Sequence, residues 1–261
     1  MLEGLDKLAE GIGKAIETIP DLYDDALKLA TQESGKTIAL IPRAINAALA
    51  PLRQWIANRE YSLAETEKLL AKKLEHVGED KIVTPEAYVA VPAIQAISYS
   101  MNSEELRNLY ANLLAKAMNS DTKDMVHPSF VEIIKQMSPT DAFVFKNIME
   151  REMNPLIDVV YQNDELEFLS IISNISDIDI TRPEIISISI DYLIKQNLIT
   201  IPISKYYAND YLYENIINSD YYTLLKKSHP DTIDGFKMTY QKRQILKTDF
   251  GKSFYNICVL N

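Results

Sequence analysis

The sequence predicts a mainly α protein: an N-terminal multi-helix bundle followed by a winged-helix-like α+β C-terminal module with a small β-hairpin. Three observations predict it. Only seven glycines are spread over 261 residues, which disfavours turn-rich β architectures and phosphate-cradling loops and favours long helices. Apolar residues recur at helical spacing through residues 1–137. After Ser138 two phrases punctuate the chain, Leu193-x3-Asn197-Leu198-Ile199 and Leu246-x-Thr248-x2-Gly251-x2-Phe254. The first reads as a helix running abruptly into a strand, the second as a strand delivering a threonine cap to a closely packed helix. The domain reading is therefore 1–137, amphipathic helical, and 138–261, winged-helix-like, with a tyrosine-rich insertion at about 206–243.

Helix starts in the N-terminal part follow from local chemistry. Thr84-Pro85-Glu86 offers an N-cap, a proline at the first helical position and an acid in the first turn. Ser62-Leu63-Ala64-Glu65 is a capping box, and Ser138-Pro139-Thr140-Asp141 is a close variant of one. Between Asn102 and Asn119, the residues Leu106, Leu109, Tyr110, Leu113, Leu114 and Ala117 form one apolar face. The segment after Pro128 repeats it with Phe130, Ile133, Ile134 and Met137. No strand is expected before Ser138.

Three helices are expected after Ser138: Pro139 to about Glu152, about Asn163 to Ile175, and Pro183 to Gln196. The last ends at Asn197, a residue that tolerates the left-handed conformation. The alternating, β-branched run Leu198 to Ile203 reads as a strand, Gln244 to Lys247 as its partner, and Thr248 onward as the final capped helix. The order is helix, helix, helix, strand, strand, helix. The two strands are separated by Tyr206 to Arg243, far longer than a wing, which holds seven of the fifteen tyrosines. There Tyr213, Ile216, Ile217, Asp220, Tyr221 and Leu224 predict an inserted helix.

Charge and composition narrow the function. Hydrophobic residues make up 47% and charged residues 25%, the balance of a globular chain, and the net charge is −10. Up to Ser138 there are 15 basic against 20 acidic residues, and 12 against 17 after it. Neither part carries the bulk positive field that nucleic acid attracts. The single Cys258 lies in an apolar run, which excludes an internal disulfide and a cysteine-based zinc site. A start without a basic region or long apolar core reads as a cytoplasmic protein.

Each constellation has a functional reading and a plainer one. Lys36, Arg43, Arg53 and Arg59 are unaccompanied by any acid and lie beside Trp55 and an Ile/Leu stripe. That pattern suits a membrane or partner surface; the plainer reading is a core stripe with cations on the solvent side. The helix Pro183–Gln196, which would read DNA in a winged helix, has Glu184 and Asp191 against the lone cation Lys195. Lys242, Arg243 and Lys247 supply only a weak basic wing edge. His76, His127 and His229 lack a metal-ligand spacing, and no nucleophile elbow, Walker or dinucleotide fingerprint is present. No cofactor, metal or catalytic residue is expected.

Glu105 to Met118 leads on to Val126-His127-Pro128-Ser129-Phe130-Val131 and Glu132 to Pro139. Together with Ala93-Ile94-Gln95-Ala96, Ala48-Leu49-Ala50-Pro51-Leu52 and the closing Leu-x-Thr-x2-Gly-x2-Phe, this resembles the bacterial family called abortive infection alpha, over about residues 30–258. His127, Pro128 and Phe130 sit in its most specific stretch. The resemblance implies a protein linked to phage resistance and brings no catalytic residues. The expectation is a non-enzymatic defence protein that binds a protein partner or self-associates. A membrane-acting effector using 34–59 and a DNA-binding regulator are the alternatives, nucleic acid being the less expected partner.

Overall fold

In the computed structural model the described residues are 63–97, 103–179 and 181–260, preceded by Ala44, Ile45, Ala47 and Leu49. They divide into two compact units, one reaching Lys135 and the other spanning Gln136–Val259. The whole is mixed α+β, with more strand than the sequence predicts.

In the first unit the described helices are α1 (Leu63–Lys73), α2 (Ala87–Ile97), α3 (Glu104–Ala117) and α4 (Ser129–Gln136). Both α1 and α2 pack on α3. The predicted face of α3 is its buried face, with Leu109, Tyr110, Leu113, Leu114 and Ala117 inside. Its N-cap is Ser103, whose hydroxyl accepts from Leu106 N at 3.3 Å. The start of α2 differs from the sequence reading. Regular helix begins at Ala87, Glu86 O accepts from Val89 and Ala90 N, and Thr84 Oγ1 is buried without a partner instead of capping. Thr84 is held back by its neighbours, since Val83 N donates to Met118 O at 2.8 Å and Ile82 bridges Asn119 at the end of α3. The capping box at Ser62 lies outside the described residues.

The second unit opens on α5 (Pro139–Glu150), capped as its sequence predicts: Ser138 Oγ accepts from Asp141 N at 3.1 Å, and Asp141 Oδ2 accepts from Ser138 N at 2.7 Å. The stretch 163–175, expected as a helix, is half of a hairpin formed by β1 (Pro155–Gln162) and β2 (Phe168–Ser176). A β-hairpin therefore stands where the middle helix of the predicted trio was expected. Next is α6 (Pro183–Lys195), which does end at Asn197 in the left-handed conformation (φ 56°), with Leu198 N bonded to Leu193 O at 3.0 Å. The strand read from Leu198 to Ile203 is short: β3 is Ile199–Thr200.

The insertion forms a 3₁₀ turn (Asp210–Tyr213), α7 (Glu214–Ile217) and α8 (Asp220–Ser228), so the expected helix is present in pieces. It continues into strands that the sequence reading missed, β4 (Thr232–Ile233) and β5 (Phe236–Gln244). These complete a sheet in the order β2-β1-β5-β4, all antiparallel, with β1 in the middle. The chain ends with β6 (Leu246–Lys247), which pairs with β3, then α9 (Asp249–Phe254) and a wide final turn, Tyr255–Val259.

The tyrosine-rich insertion is the lid of a second small core. Tyr213, Ile216 and Tyr222 pack on Ile157 and Val159 of β1 and Ile175 of β2, with Tyr207, Tyr221, Met238 and Tyr240 around them. The hydroxyls tie the insertion down. Tyr213 donates to Arg243 O at 3.0 Å, Tyr207 accepts from Asn154 N at 3.0 Å, and Tyr161 donates to Pro230 O at 2.7 Å. Burial and the neighbouring Glu184 push the Tyr221 hydroxyl up to about 12.

Candidate protein-binding surface

The cations that composition offers to a DNA backbone have partners inside the fold. Arg243 of β5 shares a face of the sheet with Leu156 and Asp158 of β1. Its guanidinium donates to Asp158 Oδ2 at 2.8 Å, and both side chains are largely buried. Asp158 Oδ1 accepts from Asn174 N at 2.9 Å, and Asn174 Nδ2 donates to Asp191 of α6 at 2.7 Å. One polar network thus joins β5, β1, β2 and α6. Its geometry depends on Asn174 holding φ 61°, a left-handed conformation to which asparagine is well suited.

Lys242 is paired with Asp210 of the insertion and lies over the Tyr213 ring, 5.7 Å from its centroid. Lys247 donates from Nζ to Met149 O at 2.9 Å and Arg151 O at 2.7 Å, which satisfies carbonyls at the end of α5. Lys195 is exposed at the last turn of α6. The structure brings Lys242 and Arg243 together with the insertion and Asp158, and sends Lys247 to α5. A shared cationic edge is not formed by these three.

The outer face of α6 carries apolar side chains. Ile185 is 45% exposed and Ile188 is 68% exposed, one helical turn apart, with the exposed Glu184 and Asp191 beside them. Two exposed isoleucines with acidic neighbours thus stand on the helix that a winged-helix DNA reader would line with Arg and Lys. The opposite face is core, with Ile186, Ile190 and Leu193 fully buried.

His127, Pro128 and Phe130 lie in the first unit at the entry of α4. His127 Nδ1 accepts from Ser129 N at 3.2 Å and is 2.6 Å from Ser129 Oγ. The His127 and Phe130 rings lie 5.9 Å apart. Phe130 is fully buried while His127 and Pro128 are exposed, so the motif starts a helix and anchors it. Lys36, Arg43, Arg53, Trp55 and Arg59 lie outside the described residues. Within that stretch Ala44, Ile45, Ala47 and Leu49 are helical, and Ile45 and Leu49 are fully buried. Those two members of the apolar stripe are core.

Cys258 is completely buried, and burial pushes its thiol well above the ordinary range. Among the described residues no group of three or more His, Cys, Asp or Glu side chains is placed to hold a metal ion. Among the same residues no helix is long and apolar enough to cross a membrane. Sequence reasoning missed Asp158 and Asn174. Asp158 interrupts an apolar run (Leu156-Ile157-Asp158-Val159-Val160), and a charge there could have signalled a buried ion pair.

Residues 58–258 match the model of a protein family described as abortive infection alpha. No curated protein and no solved structure matches the chain.

Proposed function

Because the chain belongs to the abortive infection alpha family, we propose that it serves phage defence by binding a protein partner or another copy of itself, without catalysing a reaction. The observation that carries this reading is the outer face of α6, where Ile185 and Ile188 project into solvent between acidic neighbours. The β3–β6 pair between α6 and α9 acts as a short wing, making the second unit a winged-helix-like module turned to protein recognition. Exposed isoleucines on one helix face suit an apolar contact, whereas phosphate contacts need the cations that this fold keeps for Asp158, Asp210 and the end of α5.

The test is Ile188→Asp in the full chain. The site is exposed, so the variant is expected to keep the wild-type circular dichroism and thermal midpoint. It should lose the crosslinked partner or self-assembled species seen with wild type, and phage plating efficiency should rise to the level of cells lacking the protein. Undiminished protection and an unchanged crosslinking pattern in Ile188→Asp would sink the proposal. The alternatives have weaker support. A membrane role for 34–59 is opposed by the burial of Ile45 and Leu49, and a DNA role by the internal pairing of Lys242, Arg243 and Lys247.

A further inference from the structure

The turn between β1 and β2 is built tightly and presents the wrong kind of residue at its tip. Asn163 organises it. Its backbone N–H donates to Glu167 O at 3.1 Å and its carbonyl accepts from Leu166 N at 3.1 Å. Its side-chain oxygen accepts from Glu165 N at 3.1 Å and Glu167 N at 2.9 Å, while Nδ2 donates to the Glu167 carboxylate at 2.8 Å. In such a turn the left-handed position suits glycine or asparagine. Here it is held by Leu166, at φ 66° and 73% exposed. Phe168 (55% exposed) and Leu169 (54%) follow at once. Three large apolar side chains within four residues therefore stand exposed at a hydrogen-bonded tip. None of the three is buried, and Leu166 carries a backbone penalty as well.

Charge decides what covers them. Asp164, Glu165 and Glu167 are exposed around the apolar group, and no lysine or arginine occurs anywhere in 163–176. Two such tips repel each other, as do a tip and an anionic lipid surface, while a cationic rim is attracted. We propose that the β1–β2 tip is a docking knob for a protein partner whose apolar groove is edged with lysine and arginine. Leu166 and Phe168 are its anchors and the three acids its orienting collar. This goes beyond the α6 face and does not depend on it: Ile188→Asp tests that face, and the variants below leave it intact.

The experiment uses the full chain and four measurements. Binding is measured by fluorescence anisotropy to an amphipathic helical peptide of leucine and lysine, and to its leucine–glutamate counterpart. Phosphatidylcholine vesicles and sedimentation velocity report on lipid binding and self-association. Wild type should bind the leucine–lysine peptide. Leu166→Asn and Phe168→Ser should each weaken that binding by about tenfold, and Glu165→Lys with Glu167→Lys should shift preference to the leucine–glutamate peptide. Leu166→Asn should fold at least as well as wild type, because asparagine accepts the left-handed conformation, so lost binding cannot be ascribed to unfolding. Equal peptide affinity in wild type and Leu166→Asn overturns the proposal. Vesicle binding or dimerisation that is lost in Leu166→Asn also overturns it, because the occupant would then be lipid or a second copy.

Discussion

Asp158 and Arg243 illustrate how a residue's neighbours decide its meaning. In sequence, Arg243 is one of three cations near a strand; in the fold it neutralises a largely buried carboxylate on the central strand. Removing one partner of a buried pair leaves the other uncompensated. Arg243→Leu should therefore lower unfolding stability by about 3 kcal/mol, measured by chemical denaturation. A loss near zero would mean that solvent reaches Asp158. Gly251 makes a second case. A Cβ built there would lie 1.9 Å from Leu198 O and 2.8 Å from Leu198 C, both backbone atoms that cannot rotate away. Gly251→Ala should cost about 3 kcal/mol, the upper end for overpacking. Thr248 works beside it, accepting from Gly251 N at 2.8 Å while its single hydroxyl hydrogen faces Asn197 O at 2.7 Å and Leu198 O at 2.9 Å. One threonine thus caps α9 and fastens it to the end of α6.

At the scale of elements, the β1–β2 hairpin is the chief departure from expectation. Phe168, Ile172 and Ile175 fall at spacings of four and three, which is a helical signature over a short window. The same segment contains Ile171-Ile172 and Ile175, β-branched residues that favour strand. Periodicity could not arbitrate, because what stabilises β2 is pairing with β1, and β1 is in turn held by β5, some eighty residues later. The turn that joins the hairpin stores strain at Leu166. Leu166→Gly should raise the thermal midpoint and add about 1 kcal/mol to stability, read by calorimetry; a fall in midpoint would show that the leucine packs usefully. By contrast, α5 was legible because its start is local: Ser138 and Asp141 bond each other's backbone whatever lies elsewhere.

For the second unit as a whole, the insertion is structural. Its tyrosines cover the sheet face formed by Ile157, Val159 and Ile175, the Tyr207 and Tyr213 hydroxyls bond backbone at Asn154 and Arg243, and Tyr161 of β1 donates to Pro230 O of the insertion. Replacing 206–228 by a short flexible linker should therefore expose that apolar face. The product should be insoluble or lack native near-ultraviolet circular dichroism, instead of being a trimmed but folded protein. A soluble, cooperatively unfolding deletion would contradict this account. The same insertion contributes Asp210 to Lys242, so it also neutralises one of the cations offered to nucleic acid by the sequence alone. Membership of the abortive infection alpha family places the chain in a defence context.

Sequence by itself determined the features whose physics is local: the Ser138 box, the buried face of α3, the stop at Asn197, the Thr248 cap and the need for Gly251. It also determined the family, through the stretch around His127, Pro128 and Phe130. The tertiary structure decided the rest, because those features depend on residues far apart in the chain. Whether 163–175 is helix or strand rests on β1 and β5. Whether Arg243 is a surface cation or a buried partner rests on Asp158, and whether a tyrosine-rich segment is loop or lid rests on the sheet beneath it. Local chemistry can be read along the chain, but pairing and burial are properties of what the chain is brought to meet.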